Sequence, residues 1–314
     1  MVVSFNKELV YKMITKPTVL ILGAGASAPY GFPVGTQLWE ELCDKLKTGH
    51  LYDFLLSNGF SADDILNFRK NLFESGKTSI DAFLEHRTEF LDIGKLAIAT
   101  VLTSYENSET LYDAGGDKWY KFLYEKMNVS SPEEFANNKI SIITFNYDRS
   151  IEHFLFNSLK NTYGKSDEDC AREISKIKII HLHGRLGYLP WQDKDGKHYQ
   201  KDNSPEDIIR AAKNIRIIHE NIDMNTDFID ARKILAEAER VYILGFGYHE
   251  INVQRLGIKN LSVGEGKEII GSAVNLCKKE IDDKMKICGN NVSIPYRGDI
   301  NPALDFLRQC ASLD

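Results

Sequence analysis

No two cysteines in this 314-residue chain form a Cys-X-X-Cys pair, and nowhere do the ~18 consecutive apolar residues of a membrane-spanning helix run together. The cysteines that do occur, Cys43, Cys170, Cys277, Cys288 and Cys310, are odd in number, which disfavours both a disulfide framework and a structural zinc site. The opening residues "MVVSFNKELVYKM" lack the apolar core and small-residue cleavage site of a signal peptide, so the expectation is a cytoplasmic chain with no membrane contact. A basic excess is missing too: 39 Lys and Arg stand against 45 Asp and Glu, net charge −6. A nucleic-acid surface displaces phosphate counterions with a basic stripe, so direct nucleic-acid binding is not expected. Lysines in stretches such as "CKKEIDDKMK" are diluted by acids and read as a solvated helix face.

What is present suits a folded globular protein: 43% apolar and 27% charged residues, with no repeat or low-complexity stretch. The length allows two domains, or one domain with a large insertion. Short runs rich in Val and Ile, "TVLILGAGAS" (18–27), "KISIITFNYD" (139–148), "IKIIHLHG" (177–184) and "RVYILGFGYHE" (240–250), each end in a polar or glycine-containing cluster. Continuous apolar runs of that length suit strands covered on both faces of a parallel sheet, where ligands bind at the carboxyl ends. Between the first two lie "TQLWEELCDKL", "LYDFLLSNG", "ADDILNFRKNLFES", "SIDAFLEHRTEFLDIGKLAIATVLTSY" and "DKWYKFLYEKM", whose apolar residues recur at three and four as in amphipathic helices. The expected fold is therefore α/β: a Rossmann-like parallel sheet with a helical insertion after the first strand and glycine loop. Residues 1–45 and 139–314 form the core and 46–138 the insertion. "DFIDARKILAEAE" (227–239) reads as a crossover helix, and 188–207 as a turn-rich loop, either a lid or a surface excursion. The segments "NLSVGEGKEIIGSAVNL" and "VSIPYRGDINPALDFL" could add a strand and a last helix.

Gly23, Gly25 and Ala28 fit the G-x-G-x-x-G/A fingerprint of a dinucleotide-binding turn, a weak signal on its own. A dehydrogenase would start its helix inside this loop, and Pro29 and Pro33 forbid that, since proline removes an amide donor and clashes with the preceding turn. The acids at the ribose-binding spacing, Glu40 and Glu41, fall in a helical segment rather than at a strand end. What remains is a phosphate-cradling loop followed by the irregular segment "APYGFPVG". The cluster "TFNYD" places Thr144, Phe145, Asn146 and Asp148 after a strand, where Asp148 could simply cap the next helix. "HLHG" puts His181 and His183 two apart, hence on one face of a strand; they could be a metal pair or satisfied core histidines, but no third ligand is adjacent. Gly245 and Gly247 in "ILGFGYHE" could let backbone approach a ribose or phosphate, or could form a bare turn.

In that order, glycine loop, T-x-N-x-D, H-G, second glycine turn, the chain resembles the sirtuin-like family across nearly its whole length. The matching first loop is Gly23-Ala24-Gly25-Ala26-Ser27, followed by Gly31-Phe32-Pro33. The resemblance implies NAD+ as substrate and no metal. It implies that Pro33 helps shape a loop over the nicotinamide end, and that Asn146 holds a water or ribose hydroxyl. Asp148 would bind the carboxamide, and His183, followed by Gly184, would be the general base. Gly245 and Gly247 would contact the adenosine half.

The chain departs from protein-deacylating sirtuins in three ways: no four-cysteine zinc module follows H-G, Val34-Gly35-Thr36 stands in place of Phe-Arg, and Phe145 replaces a glutamine. These departures resemble the bacterial sirtuin-like NADases of anti-phage defence, such as those of Thoeris and HerA-associated systems. That likeness implies hydrolysis of NAD+ to nicotinamide and ADP-ribose, held in check by self-assembly, as a homo-oligomer, or by a partner such as a HerA-type ATPase or an Argonaute-like protein. An NAD-dependent deacylase or ADP-ribosyl transferase is the alternative, and a non-cleaving nucleotide sensor the third reading.

Overall fold

A computed structural model describes residues 13–113, 115, 118–217, 225–261, 267–296 and 303–314. Parts of the two C-terminal segments read above, 262–266 and 297–302, lie outside the described residues. The valine- and isoleucine-rich runs form strands β1 (Thr18–Leu22), β2 (Ile140–Thr144), β3 (Lys178–His181) and β4 (Arg240–Leu244), and a fifth, β5, is Glu268–Gly271. All neighbouring pairs are parallel, in the order β3-β2-β1-β4-β5. The chain steps outward from β1 through β2 to β3, then crosses back to build β4 on β1's other side. That reversal makes the carboxyl ends of β1 and β4 a switch-point crevice, the usual ligand position in such sheets.

Every residue of β1 is buried, because each face of the sheet is covered. Leu20 and Leu22 pack with Ile142 and Tyr242 into one apolar cluster, while Val19 and Ile21 pack with Ile143, Val241 and Ile243 into another. This alternation is the two-residue period of a strand serving two cores. The second core is closed by α11 (Thr226–Glu237), α12 (Glu250–Leu256) and α13 (Lys278–Ile287).

The first core is closed by the helices between β1 and β2: α1 (Gly35–Lys45), α2 (His50–Ser57), α3 (Ala62–Glu74), α4 (Ile80–Leu84), α5 (Leu91–Thr103), α6 (Ser108–Tyr112) and α7 (Trp119–Lys126). Their buried side chains belong to the same cluster as those of the sheet. The run at 79–105, read as one helix, is broken. Ser79 caps α4 by accepting from Ala82 N, Arg87 leaves helical geometry at φ −126° and ψ 71°, and α5 starts anew. The break lets Phe83 and Phe90 both pack on Phe68, at 6.1 and 5.5 Å between ring centroids.

After β2 come α8 (Ser150–Tyr163) and α9 (Asp167–Ile174), and after β3 comes α10 (Pro205–Asn214); α14 (Ala303–Cys310) ends the chain. The loop that precedes α10 runs along the surface, with Leu189, Lys197 and Tyr199 turned inward. It is pinned by a buried ion cluster in which Glu106 takes a bidentate pair from Arg149, Nε–Oε1 2.8 Å and Nη2–Oε2 2.7 Å, and a further bond from Lys197 Nζ. Arg149 spends its remaining donors on the carbonyls of Tyr188, Lys197 and His198, so all five guanidinium N–H groups are used. Burial pushes the Lys197 ammonium down to about 8 against the pull of Glu106.

Candidate functional site

The segment after β1 never becomes a regular α-helix until Gly35. It winds through two single-turn 3-10 pieces, Ala24–Ala26 and Ala28–Tyr30, and Gly31 then reverses it at φ 91°. Pro29 fits the first turn of the second piece, where no amide donor is needed, and Pro33 precedes α1. The prolines thus hold an ordered loop across the end of β1.

The glycines of this loop are required by a neighbouring loop of the protein itself. Gly23 N donates to Leu244 O at 2.9 Å and Gly25 N to Gly245 O at 3.0 Å. A Cβ on Gly23 would sit 2.5 Å from Gly245 O, and one on Gly245, whose φ is +58°, would sit 2.0 Å from Ala26 N. The first and second glycine turns are interlocked at the switch point. Gly247 is set by a different neighbour: a Cβ there would lie 3.2 Å from the His249 ring. Gly184, at φ +74°, allows a bridge to Ile215, since a Cβ there would meet Asn214 O at 2.0 Å.

Asn146 and Asp148 meet the first loop in one buried network. The Asn146 amide donates to Gly23 O at 2.9 Å and to Ser27 Oγ at 3.0 Å, so both its N–H groups are used. Its own backbone N is fixed by Thr144 Oγ1 at 3.0 Å. Asp148 Oδ2 accepts from Ser27 Oγ at 2.7 Å, and Oδ1 accepts from both the amide and the hydroxyl of Ser150. Asp148 therefore does steady the start of α8, as a capping role would have it, and at the same time anchors Ser27. Burial raises its pKa, and the serine hydrogen bonds work against that shift.

The two histidines do not share surroundings. β3 ends at His181, so the alternation of a strand stops there. His181 bonds to Asn146 O at 3.0 Å through Nδ1 and to Glu152 at 2.7 Å through Nε2, and is a satisfied core residue. His183 Nδ1 lies 3.8 Å from Asp81 Oδ1, and its Nε2 is buried with no hydrogen-bond partner among the described residues. Burial lowers the His183 pKa below the ordinary histidine value, while Asp81 and Glu85 pull it back up. The Phe145 ring stands edge-on to His183 at 5.4 Å and 5.1 Å from Phe246, so the aromatic after β2 links the histidine to the second glycine turn. No hydrogen bond joins His183 to Asn146 or Asp148 among the described residues.

Three residues of this site carried no legible signal. Asp81 comes from α4, and it receives a hydrogen bond from Tyr147 OH. Glu85, four residues on and hence on the same face of the helix axis, pairs with Arg255 of α12 at 2.7 Å. A short helix from the segment between β1 and β2 thus brings one acid to the β3 end and a second to the helix after β4. No group of His, Cys, Asp and Glu among the described residues has metal-holding geometry.

No family model matches the chain, and no curated protein is similar to it. Among solved structures, a match is "Structure of Sir2Tm bound to a propionylated peptide", at 15% identity and a TM-score of 0.36, covering 93% of this chain and 90% of that one. A likeness of that strength leaves the activity to be argued from the site itself.

Proposed function

We propose that this chain is an NAD+ hydrolase that cleaves the bond between nicotinamide and ribose. The observation that carries the reading is the meeting, at the carboxyl ends of β1, β2 and β3, of Ser27, Asn146 and Asp148 in one hydrogen-bonded network, with His183 nearby. The histidine keeps a buried Nε2 that no group among the described residues answers. A buried polar atom left unpaired costs roughly 1–3 kcal/mol, and such a cost at a strand-end crevice is most simply explained by a ligand or reactant that satisfies it.

The chemistry fits the donors present. The C1′–N bond breaks with its electron pair going to the nicotinamide ring, leaving an oxocarbenium-like ribose. Water adds its oxygen to C1′, and its proton passes to His183 Nε2 and then to solvent. Burial keeps His183 neutral near pH 7, as a proton acceptor must be. Asn146, held by both amide N–H groups, offers its Oδ1 to a water or a ribose hydroxyl in a fixed direction. Asp148 sets Ser27, and through it Asn146, and its Oδ2, which accepts one bond, from Ser27, keeps a lone pair for the carboxamide N–H of the substrate.

The likeness to anti-phage NADases extends the proposal to depletion of bacterial NAD+ on a trigger, with control by self-assembly or by a partner such as a HerA-type ATPase or an Argonaute-like protein. The test is chromatography of products from NAD+, with and without an acetyl-lysine peptide. Nicotinamide and ADP-ribose without peptide are expected, falling about 10²–10⁴-fold in His183→Ala and Asn146→Ala. Product only with peptide would make the chain a deacylase, and turnover untouched by both substitutions would remove the site. Full turnover by a lone monomer would remove the partner.

A further inference from the structure

Beyond Ser150 the hydrogen-bond network continues out of the proposed catalytic site. Ser150 Oγ meets Tyr120 OH at 2.7 Å, Tyr120 N donates to Tyr30 OH at 2.7 Å, and Trp119 Nε1 donates to Ala26 O at 2.8 Å. The start of α7 therefore supports the glycine loop at two points. Tyr30 and Tyr120, stacked at 3.8 Å and 12°, are also part of the wall of a cavity of about 470 Å³ bounded by α6, α7 and α8. Tyr112, Tyr124 and Phe154 complete its aromatic lining, with Tyr112 stacked on Phe154 at 5.3 Å.

This volume lies within the ~300–1,000 Å³ of small-molecule sites, which are mostly apolar with a few polar groups. Tyr30 and Tyr120 are closed against each other, and Lys118 lies over the Tyr30 ring, so the ring at hand for a planar ligand is Tyr112, 45% exposed at the edge of the cavity. Among the described residues that line it, two lysines, Lys118 and Lys121, stand with one acid, Asp113. Lys118 is spent on Pro29 O and Thr110 O, with Asp113 at 3.7 Å. Lys121 is exposed and pairs with no acid among the described residues.

We propose that this cavity is a second ligand site for a ring-bearing anion of nucleotide size, a nucleoside monophosphate being the type. The base lies against the Tyr112 ring and the phosphate meets Lys121. Occupancy reaches the glycine loop through Tyr30, Tyr120 and Trp119. The catalytic role of that loop rests on the NAD+ reading; the site itself does not.

Calorimetry with AMP, adenosine and inorganic phosphate tests it on the full chain. AMP is expected to bind the wild type and to bind about tenfold or more weakly after Tyr112→Ala, which removes a stacking face, and after Lys121→Ala. Both positions are at the surface, and unchanged melting temperatures would show that the variants fold. Adenosine should bind more weakly than AMP in the wild type and equally to it in Lys121→Ala. AMP should also shift tryptophan emission in the wild type and not in Trp119→Phe. No AMP binding at millimolar concentration, or equal binding by the wild type and both variants, overturns the site. Equal binding of adenosine and AMP by the wild type overturns the anionic ligand, and an emission unchanged by bound AMP overturns the coupling. None of these outcomes depends on NAD+ cleavage, so failure of that reading would show separately, as absent nicotinamide.

Discussion

Asp148 and Arg149 are adjacent in sequence but belong to two buried polar clusters of opposite character. On the Arg149 side, all five guanidinium donors are answered and the Glu106 carboxylate is shared by two cations. On the Asp148 side, Asn146 spends both amide donors to present one oxygen, while His183 keeps an Nε2 with no partner among the described residues, its other nitrogen 3.8 Å from Asp81. A saturated cluster fixes geometry, here the course of the 188–203 loop over the start of α8. An incompletely satisfied cluster stores an unmet demand that a reactant can meet. The difference teaches that burial of charge alone does not mark a functional site; nor does an unanswered atom alone, since Trp39 Nε1, Trp191 Nε1 and Tyr199 OH are buried without a partner among the described residues, and His183 Nε2 stands apart by its place just past the end of β3.

The sharpest break in this comparison is Glu106→Gln. It leaves Arg149 and Lys197 buried without an acid, and chemical denaturation should show a loss of about 3–5 kcal/mol. A near-neutral result would mean that the cluster is not the staple it looks like. Substituting His183 should act in the other direction on stability. In His183→Leu the orphaned Nε2 is gone, so the folded state should be steadier by up to ~1–3 kcal/mol while nicotinamide release is lost; a protein both inactive and destabilised would make His183 a structural residue.

The smallest effect is expected from Asp81→Asn, read in the pH dependence of turnover. His183 acts when neutral, so activity should climb with rising pH through its pKa and then level off. Asp81 raises that pKa, and removing its charge should move the acid limb to lower pH, with a gain in rate on that limb and little change at neutrality. A profile that does not move would detach Asp81 from the histidine.

The strands were legible because a sheet covered on both faces needs uninterrupted apolar runs, and four such runs stand out from their surroundings. The loop at 17–35 was legible as well, since Pro29 and Pro33 exclude a regular helix from the end of β1. α10 was not recognised, although Ser204 before Pro205, Glu206 and Asp207 is a capping signal: Ser204 Oγ accepts from Asp207 N at 3.1 Å. The polarity of the preceding loop masked it. The pairing of His181 and His183 failed for a different reason. Residues two apart share a face only while the strand lasts, and β3 stops at the first of them.

Asp81, Glu85 and Tyr147 mark the limit of reading along the chain. Asp81 is 102 positions before His183 and is one of the many acids of a helical, mixed-charge segment. Nothing local distinguishes it from a solvated carboxylate.

By itself the sequence determined four of the five strands, the non-helical glycine loop and the polar residues at the strand ends, because these depend on local rules: apolar runs, proline's missing donor and glycine's missing Cβ. Only the tertiary structure decided that the two glycine turns lock against each other, that Glu106, Arg149 and Lys197 form one closed cluster, and that His183 rather than His181 is left with an unanswered nitrogen. Each of those depends on which distant groups fall within a few ångströms, and hydrogen bonding and desolvation act at that range and no further.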